Sequence, residues 1–235
     1  MLLERYQAPF DFDSVLAWLG ARAIPGIESI TATHYTRGRV RVWHEEDAVR
    51  ANASRAKVRR LFDLDADPHA IASTLSRDRM LAPLLRKRPG IRVPGAWDPF
   101  ELAVRAIVGQ QVSVAGARTL LGRIAEKHGF APERLADADI EGMPRKRAET
   151  IRIVAREVAS NAIDLRDRDA LVALPGIGPW TANYIAMRLG VADAFPAGDL
   201  VLRRNAGNLT EKELLRRAER WRPYRAYAAM LLWTR

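Results

Sequence analysis

The sequence predicts an α+β fold: a small mixed unit over residues 1–76, then a mostly helical region over 77–235. Three observations carry that prediction. Arg39-Val40-Arg41-Val42-Trp43 alternates strictly between polar and apolar residues, as a half-buried strand does. From about Arg77 onward the pattern is helical, with many explicit caps. Hydrophobic residues make up 48% of the 235, enough for a buried core rather than a disordered basic chain.

The elements follow in order. Residues 2–8, 28–35 and 39–44 are short, rich in β-branched and aromatic types, and read as strands. Between the first two, Val15, Leu16, Trp18 and Leu19 fall on one side of a helix over 13–22. Residues 48–63 and 68–76 read as further helices. So few strands make a poor free-standing sheet, and the unit is expected to lean on its neighbour. Arg88-Pro89-Gly90 and Val93-Pro94-Gly95 form a connector. Asp98-Pro99-Phe100-Glu101 sets an N-cap acid, a first-turn proline and a glutamate behind it. That helix runs to Gly109-Gln110-Gln111. Ser113 starts the next, which ends on Lys127, His128 and Gly129. Residues 145–161 form a basic amphipathic helix, Thr210 with Glu213 a capping box, and 223–233 a final aromatic helix.

Charge narrows the function classes. Lys plus Arg number 38 against 28 acidic residues, a net charge of +10 with a pI near 10.6. Such a surface suits an anionic partner, most simply nucleic acid. An Arg-rich proteome gives the same count, so charge alone does not decide. The absence of cysteine excludes disulfides, a cysteine nucleophile, and thiolate-held zinc or iron–sulfur centres. His34, His44, His69 and His128 show no metal-ligand spacing. Residues 1–12 lack an apolar signal core, and no apolar stretch approaches the ~20 residues of a membrane span. A soluble, intracellular, cytoplasmic protein is expected.

The chemistry concentrates in two stretches. Residues 171–185 read as a short helix, a tight turn at Pro175-Gly176-Ile177-Gly178, and a second helix opened by Pro179. Gly176 and Gly178 are expected to supply positive φ and remove Cβ atoms. The bare amides at the second helix's start suit a phosphate. An ordinary turn between helices reads the same way. Further on, Asp199 follows Ala194-Phe195-Pro196-Ala197-Gly198, where an aspartate is a good N-cap. Trp180 and Tyr184 share a helix face, for a pocket or for core. Trp221 and Tyr227 read as core.

Taken together these stretches resemble the helix–hairpin–helix glycosylase superfamily. Leu-Pro-Gly-Ile-Gly-Pro-Trp-Thr-Ala-Asn-Tyr at 174–184, Phe-Pro-Ala-Gly-Asp at 195–199, Arg-Ala-Ile-Val-Gly-Gln-Gln-Val-Ser at 105–113, Gly-Met-Pro-Arg-Lys-Arg-Ala at 142–148 and Trp-Arg-Pro-Tyr-Arg-Ala-Tyr-Ala at 221–228 are similar to one branch. That branch is AlkA, the DNA-3-methyladenine glycosylase II family. The resemblance covers residues 77–235, and residues 6–30 resemble the family's N-terminal domain. In the family that domain is larger and TATA-binding-protein-like. Here the interval between Gly38 and Arg55 is too short for all of it, so an abbreviated version is expected.

The resemblance implies a helix–hairpin–helix at about 168–190 and a cleft around Asp199, the family's essential aspartate. It implies a monofunctional DNA glycosylase that flips and excises alkylated purines of the 3-methyladenine type, leaving an abasic site. Trp180, Tyr184 and Trp233 would surround the flipped base. The amides of Gly176, Gly178 and Thr181 would clamp a DNA phosphate. Gln110 and Gln111 sit on the loop that enters the gap left by the base, with Gln111 where matched relatives carry an apolar wedge. Carbonyls of Val172, Leu174 and Ile177 match a monovalent-cation site for Na+ or K+; no other cofactor is implied. Arg145, Lys146 and Arg147 face phosphates or solvent. The partner would be duplex DNA with alkylated bases, met by a monomer at the bacterial nucleoid. Relatives that also cut the backbone carry lysine where Trp180 stands, so no lyase activity is expected. The missing cysteines exclude the branch with a four-cysteine cluster. Competing readings are a glycosylase for deaminated or oxidised bases, and a non-catalytic DNA-binding module.

Overall fold

In the computed structural model, residues 1–234 are described. The N-terminal unit holds strands β1 (Leu2–Arg5), β2 (Glu28–Ile30), β3 (His34–Arg37), β4 (Val40–Glu45) and β5 (Ala48–Ala51), with helix α1 (Phe12–Ala21) between β1 and β2. The strands form one antiparallel sheet in the order β1-β5-β4-β3-β2. Tyr35 pairs with Val42, and Val42 with Ala51, so the apolar residues of three strands share a face.

Two sequence expectations are corrected here. The run 28–35 is two strands, broken where the Thr31 hydroxyl accepts the amides of Thr33 and His34 and turns the chain. Residues 48–63 do not start as helix. Ala48–Ala51 pairs on both sides, with β4 and β1, and that pairing overrides the helical preference of its alanines. The sheet therefore has five strands, not three, and as expected the unit still leans on its neighbour, through Trp18 and the Glu28–Arg105 pair.

Helix α2 (Arg55–Phe62) covers the same face as α1. Phe12, Val15, Leu16 and Leu19 meet Tyr35, Val42, Val49, Val58, Leu61 and Phe62 in one buried cluster. The remaining helices are α3 (Pro68–Leu75), α4 (Leu81–Lys87), α5 (Pro99–Val108), α6 (Val114–Lys127), α7 (Pro132–Leu135), α8 (Arg145–Ala159), α9 (Arg168–Ala173), α10 (Pro179–Arg188), α11 (Leu200–Asn205), α12 (Glu211–Ala218) and α13 (Arg225–Trp233). Most caps are those the sequence predicts. Asp98, Ser113 and Asp199 each accept an amide of the helix they open, and Thr210 with Glu213 closes a capping box.

These helices pack around two further clusters. One gathers α5, α6, α8 and α9; the other gathers α3, α4 and α11 to α13, with Trp221 fully buried and Tyr227 nearly so. Helix α10 serves both, giving Ala182 and Ile185 to the first and Ala186 and Met187 to the second. Helix α1 likewise sends Trp18 into the second cluster while its other apolar residues stay with the sheet. The three clusters therefore meet along α1 and α10.

The junction is stitched by backbone. A Cβ on Gly95 would lie 2.1 Å from the Arg60 carbonyl oxygen, so this connector glycine permits close approach, not merely a turn. Arg188 of α10 donates to the Pro94 and Gly95 carbonyls. A buried ion network adds to it. Glu28 accepts from Arg105 at 2.6 Å and from the Tyr35 hydroxyl at 2.8 Å, while Glu101 accepts from Arg105 at 2.7 Å and from Arg37. Burial pushes the Glu28 carboxyl up, but Arg105, the Tyr35 hydroxyl and the Ile24 amide together hold the group below its ordinary value.

Asp63 caps α2 in the left-handed region (φ 53°) and accepts the Val93 amide at 3.0 Å. Burial pushes its carboxyl up to about 6. Between the unfolded value of about 3.9 and this raised one, the native state holds more protons, so this group's contribution falls as pH rises through that window. Asp63→Asn, which tolerates the same backbone and keeps an acceptor, removes that slope. Thermal unfolding of variant and wild type between pH 4 and 7 is expected to show the variant gaining relative Tm as pH rises. A constant difference across the range would sink the assignment.

Candidate active site

The hairpin joins α9 to α10. Gly176 takes φ +86°, and a Cβ there would strike the Thr150 hydroxyl of α8 at 2.0 Å. Both the backbone angle and the space demand glycine. Gly178 corrects the sequence reading: it is extended (φ −92°, ψ 172°), it caps α10, and nothing lies within 4 Å of its missing Cβ. Pro179, Trp180 and Thr181 form the first turn of α10. Among the described residues no acceptor takes the amides of Gly176, Gly178 or Thr181. The Leu174 carbonyl accepts the Ile177 amide at 3.1 Å, while those of Val172 and Ile177 accept no hydrogen bond among the described residues.

Asp199 is reached by four N–H donors. Its Oδ1 accepts the amides of Val201 and Leu202, both at 2.9 Å, and the Trp233 indole at 3.1 Å. Its Oδ2 accepts the Trp180 indole at 3.1 Å. The side chain is thus an N-cap, as its position predicts, and also the meeting point of α10, α11 and α13. Asn205 of α11 ties to the Leu232 carbonyl of α13 at 2.7 Å, which fixes the two helices beside it. Half-buried, the carboxylate opens on one side to a cavity of about 400 Å³.

Aromatic rings wall that cavity. Trp180 and Tyr184 stack at 5.5 Å and 13°; Tyr184 meets Trp233 edge-on at 6.1 Å and 70°. The three rings that the sequence nominates do come together. Two of them also hold the carboxylate, a role that spacing alone does not reveal. The Tyr184 hydroxyl accepts from Arg188 at 2.9 Å. Burial pushes that hydroxyl up, and Arg188, Arg22 and Arg105 together bring it below its ordinary value.

Part of the cavity lining comes from the N-terminal unit, which sequence reasoning missed. Trp18 of α1 packs against Trp233 at 5.5 Å, and Arg22 sits over the Trp18 ring, its guanidinium carbon 3.4 Å from the centroid. Glu28, Glu101 and Arg105 form the floor. The available signal was the four-residue step from Trp18 to Arg22, which puts a cation on the apolar stripe of α1.

The two loop glutamines separate. Gln110 donates to the Gly176 carbonyl at 3.1 Å and to the Thr181 hydroxyl at 3.0 Å, so it braces the hairpin. Gln111 stands exposed at φ 54°, at the tip between α5 and α6. Arg145 and Lys146 are exposed at the start of α8, whose Thr150 backs the hairpin.

Comparison with known proteins bears on this geometry. The AlkA N-terminal domain family matches residues 2–55 and 39–98, two stretches that overlap over β4 and β5. DNA-3-methyladenine glycosylase 2 of Escherichia coli is 34% identical, across 99% of this chain and 96% of that one. A probable bifunctional transcriptional activator/DNA repair enzyme AlkA of Mycobacterium tuberculosis is 38% identical across 97% of this chain, but the chain spans only 55% of its length. Among solved structures, a 3-methyladenine DNA-glycosylase from Archaeoglobus fulgidus shares the fold, with TM-score 0.84 at 20% identity over 99% of this chain and 97% of that one. With about a third of positions identical along nearly the whole of both the E. coli relative and this sequence, the chain belongs to the AlkA family of DNA-3-methyladenine glycosylases.

Proposed function

We propose that this protein is a monofunctional DNA glycosylase that removes alkylated purines from duplex DNA. The observation that carries the reading is the Asp199 carboxylate, gripped by four N–H groups on the rim of an aromatic cavity. A DNA-binding module needs neither carboxylate nor cavity.

The chemistry follows from charge. Alkylation at a ring nitrogen makes the purine cationic, and it leaves neutral as the glycosidic electron pair moves onto the base. No general acid is required. Positive charge then builds at C1′, and a fixed carboxylate beside the sugar stabilises it. Water adds to C1′ and loses a proton, giving an abasic site. Stacked rings suit a flipped, electron-poor base through cation–π attraction. Trp180 offers no amine for a Schiff base, which supports hydrolysis without strand cleavage.

The hairpin supports the DNA contact. Unpaired amides of Gly176, Gly178 and Thr181 at the start of α10 suit one phosphate, and the open space around Gly178 leaves room for it. The uncommitted carbonyls of Val172 and Ile177, with that of Leu174, form an all-oxygen donor set that fits a monovalent cation, Na+ or K+. Bound there, the ion would add positive charge beside the phosphate. Gln111 stands where a side chain could fill the gap left by the base and bond the orphaned partner. The net charge of +10 contributes affinity rather than base choice. Among the described residues no helix is long and apolar enough to cross a membrane. The reading places the protein on chromosomal DNA as a monomer.

Incubation with N-methylated duplex followed by alkali is expected to give strand breaks at the lesions. Absence of breaks despite intact DNA binding would return the module reading. Asp199→Asn keeps the cap but turns an NH2 toward the Trp180 indole. It should bind DNA and lose about 100-fold or more in single-turnover rate; a wild-type rate would remove Asp199 from the mechanism. Trp233→Phe deletes one donor to the carboxylate and should lower the same rate about 10- to 100-fold, the worth of a hydrogen bond to a charged group. Breaks appearing before alkali would refute hydrolysis without lyase action.

A further inference from the structure

Arg22 is a cation of the cavity wall that no carboxylate pairs among the described residues. Arg105 is paired with Glu28 and Glu101, and Arg188 is spent on the Pro94 and Gly95 carbonyls and the Tyr184 hydroxyl. Arg118 donates to the Ala23 carbonyl. Arg22 donates from Nη1 to the Trp18 carbonyl at 3.3 Å, and no carboxylate pairs with it among the described residues. Its guanidinium carbon sits over the Trp18 ring, 3.4 Å from the centroid, where the Tyr184 hydroxyl and the Asp199 carboxylate also act on it. Burial lowers its pKa, a cost that a structural ion pair would have offset.

A guanidinium held over an indole face, with one N–H committed to the Trp18 carbonyl, keeps further donors of its planar fork for a ligand of the cavity it lines. A base stacked between the aromatic walls would meet that fork with its own edge. A 6-oxopurine offers acceptors there, whereas a 6-aminopurine offers an NH2 donor that opposes the guanidinium donors. We infer that Arg22 sorts flipped bases by their exocyclic group, drawing 6-oxopurines over 6-aminopurines. This deepens the function proposed above and rests on it for the catalytic arm of the test.

The test compares 7-methylguanine and 3-methyladenine in the same duplex context. Both carry one positive charge, so their kcat/KM ratio isolates the carbonyl from charge repulsion. Arg22→Met is expected to shift that ratio against 7-methylguanine by about tenfold or more, the worth of a good base contact, and Arg22→Lys by less. A second readout needs no turnover: quenching of tryptophan fluorescence by free hypoxanthine and free adenine. The wild type should bind the oxo base more tightly, and Arg22→Met should lose that preference. Should Arg22→Met fail to fold, Arg22→Lys carries both comparisons. An unchanged ratio with an unchanged preference, or equal losses for both bases, overturns the inference. A wild type that excises neither lesion yet prefers the oxo base in an Arg22-dependent way refutes the glycosylase reading and leaves this one standing.

Discussion

The arrangement turns on one carboxylate. A half-buried aspartate is costly unless donors replace its lost water, and Asp199 has two amides from α11 and one indole each from α10 and α13. Those donors come from three helices, so the position of the group reports the packing of all three. Helix α10 carries the constraint further. The hairpin with its free amides stands at its first turn, Trp180 follows at once, and Arg188 at the far end grips the connector. One short helix thus fixes the separation between the hairpin amides, the carboxylate and the inter-unit seam.

The N-terminal unit is a wall of the site rather than an appendage. Its sheet and α1 reach the cavity through Trp18, Arg22 and Glu28, and the Glu28–Arg105–Glu101–Arg37 network locks it to α5. Removing one member of such a buried network strands an uncompensated charge, so the network fixes the register of the two units. The shortened interval before Arg55 leaves this wall intact. The sheet closes through two tight hairpins, and α2 starts soon after β5.

Much of this was legible in the sequence, for identifiable reasons. Caps are local chemistry, so Asp98, Ser113, Asp199 and Thr210 marked their helices correctly. Trp180 and Tyr184 shared a face because helical spacing is local too. What escaped was non-local. Strand β5 depends on partners on both sides, and its Ala-Val-Arg-Ala composition gives no strand signal of its own. Gly95 read as a turn residue, although the Arg60 carbonyl is what requires it. Gly178 read as a positive-φ position and is extended. Trp18 read only as part of the apolar side of a helix, and its contact with Trp233 exists only once residues more than two hundred positions apart have met.

Trp180 has two jobs that bear on how this family can diversify. Its ring walls the cavity, and its indole N–H holds one oxygen of the carboxylate. A lysine at that place could act as an amine nucleophile only when neutral. Yet a lysine that took over the vacated hydrogen bond to Asp199 would be stabilised as the ammonium. The carboxylate that would anchor such a lysine therefore also favours its unreactive, protonated form. A single Trp180→Lys change would thus remove one ring of the cavity wall and set an ammonium against Asp199 in the same step.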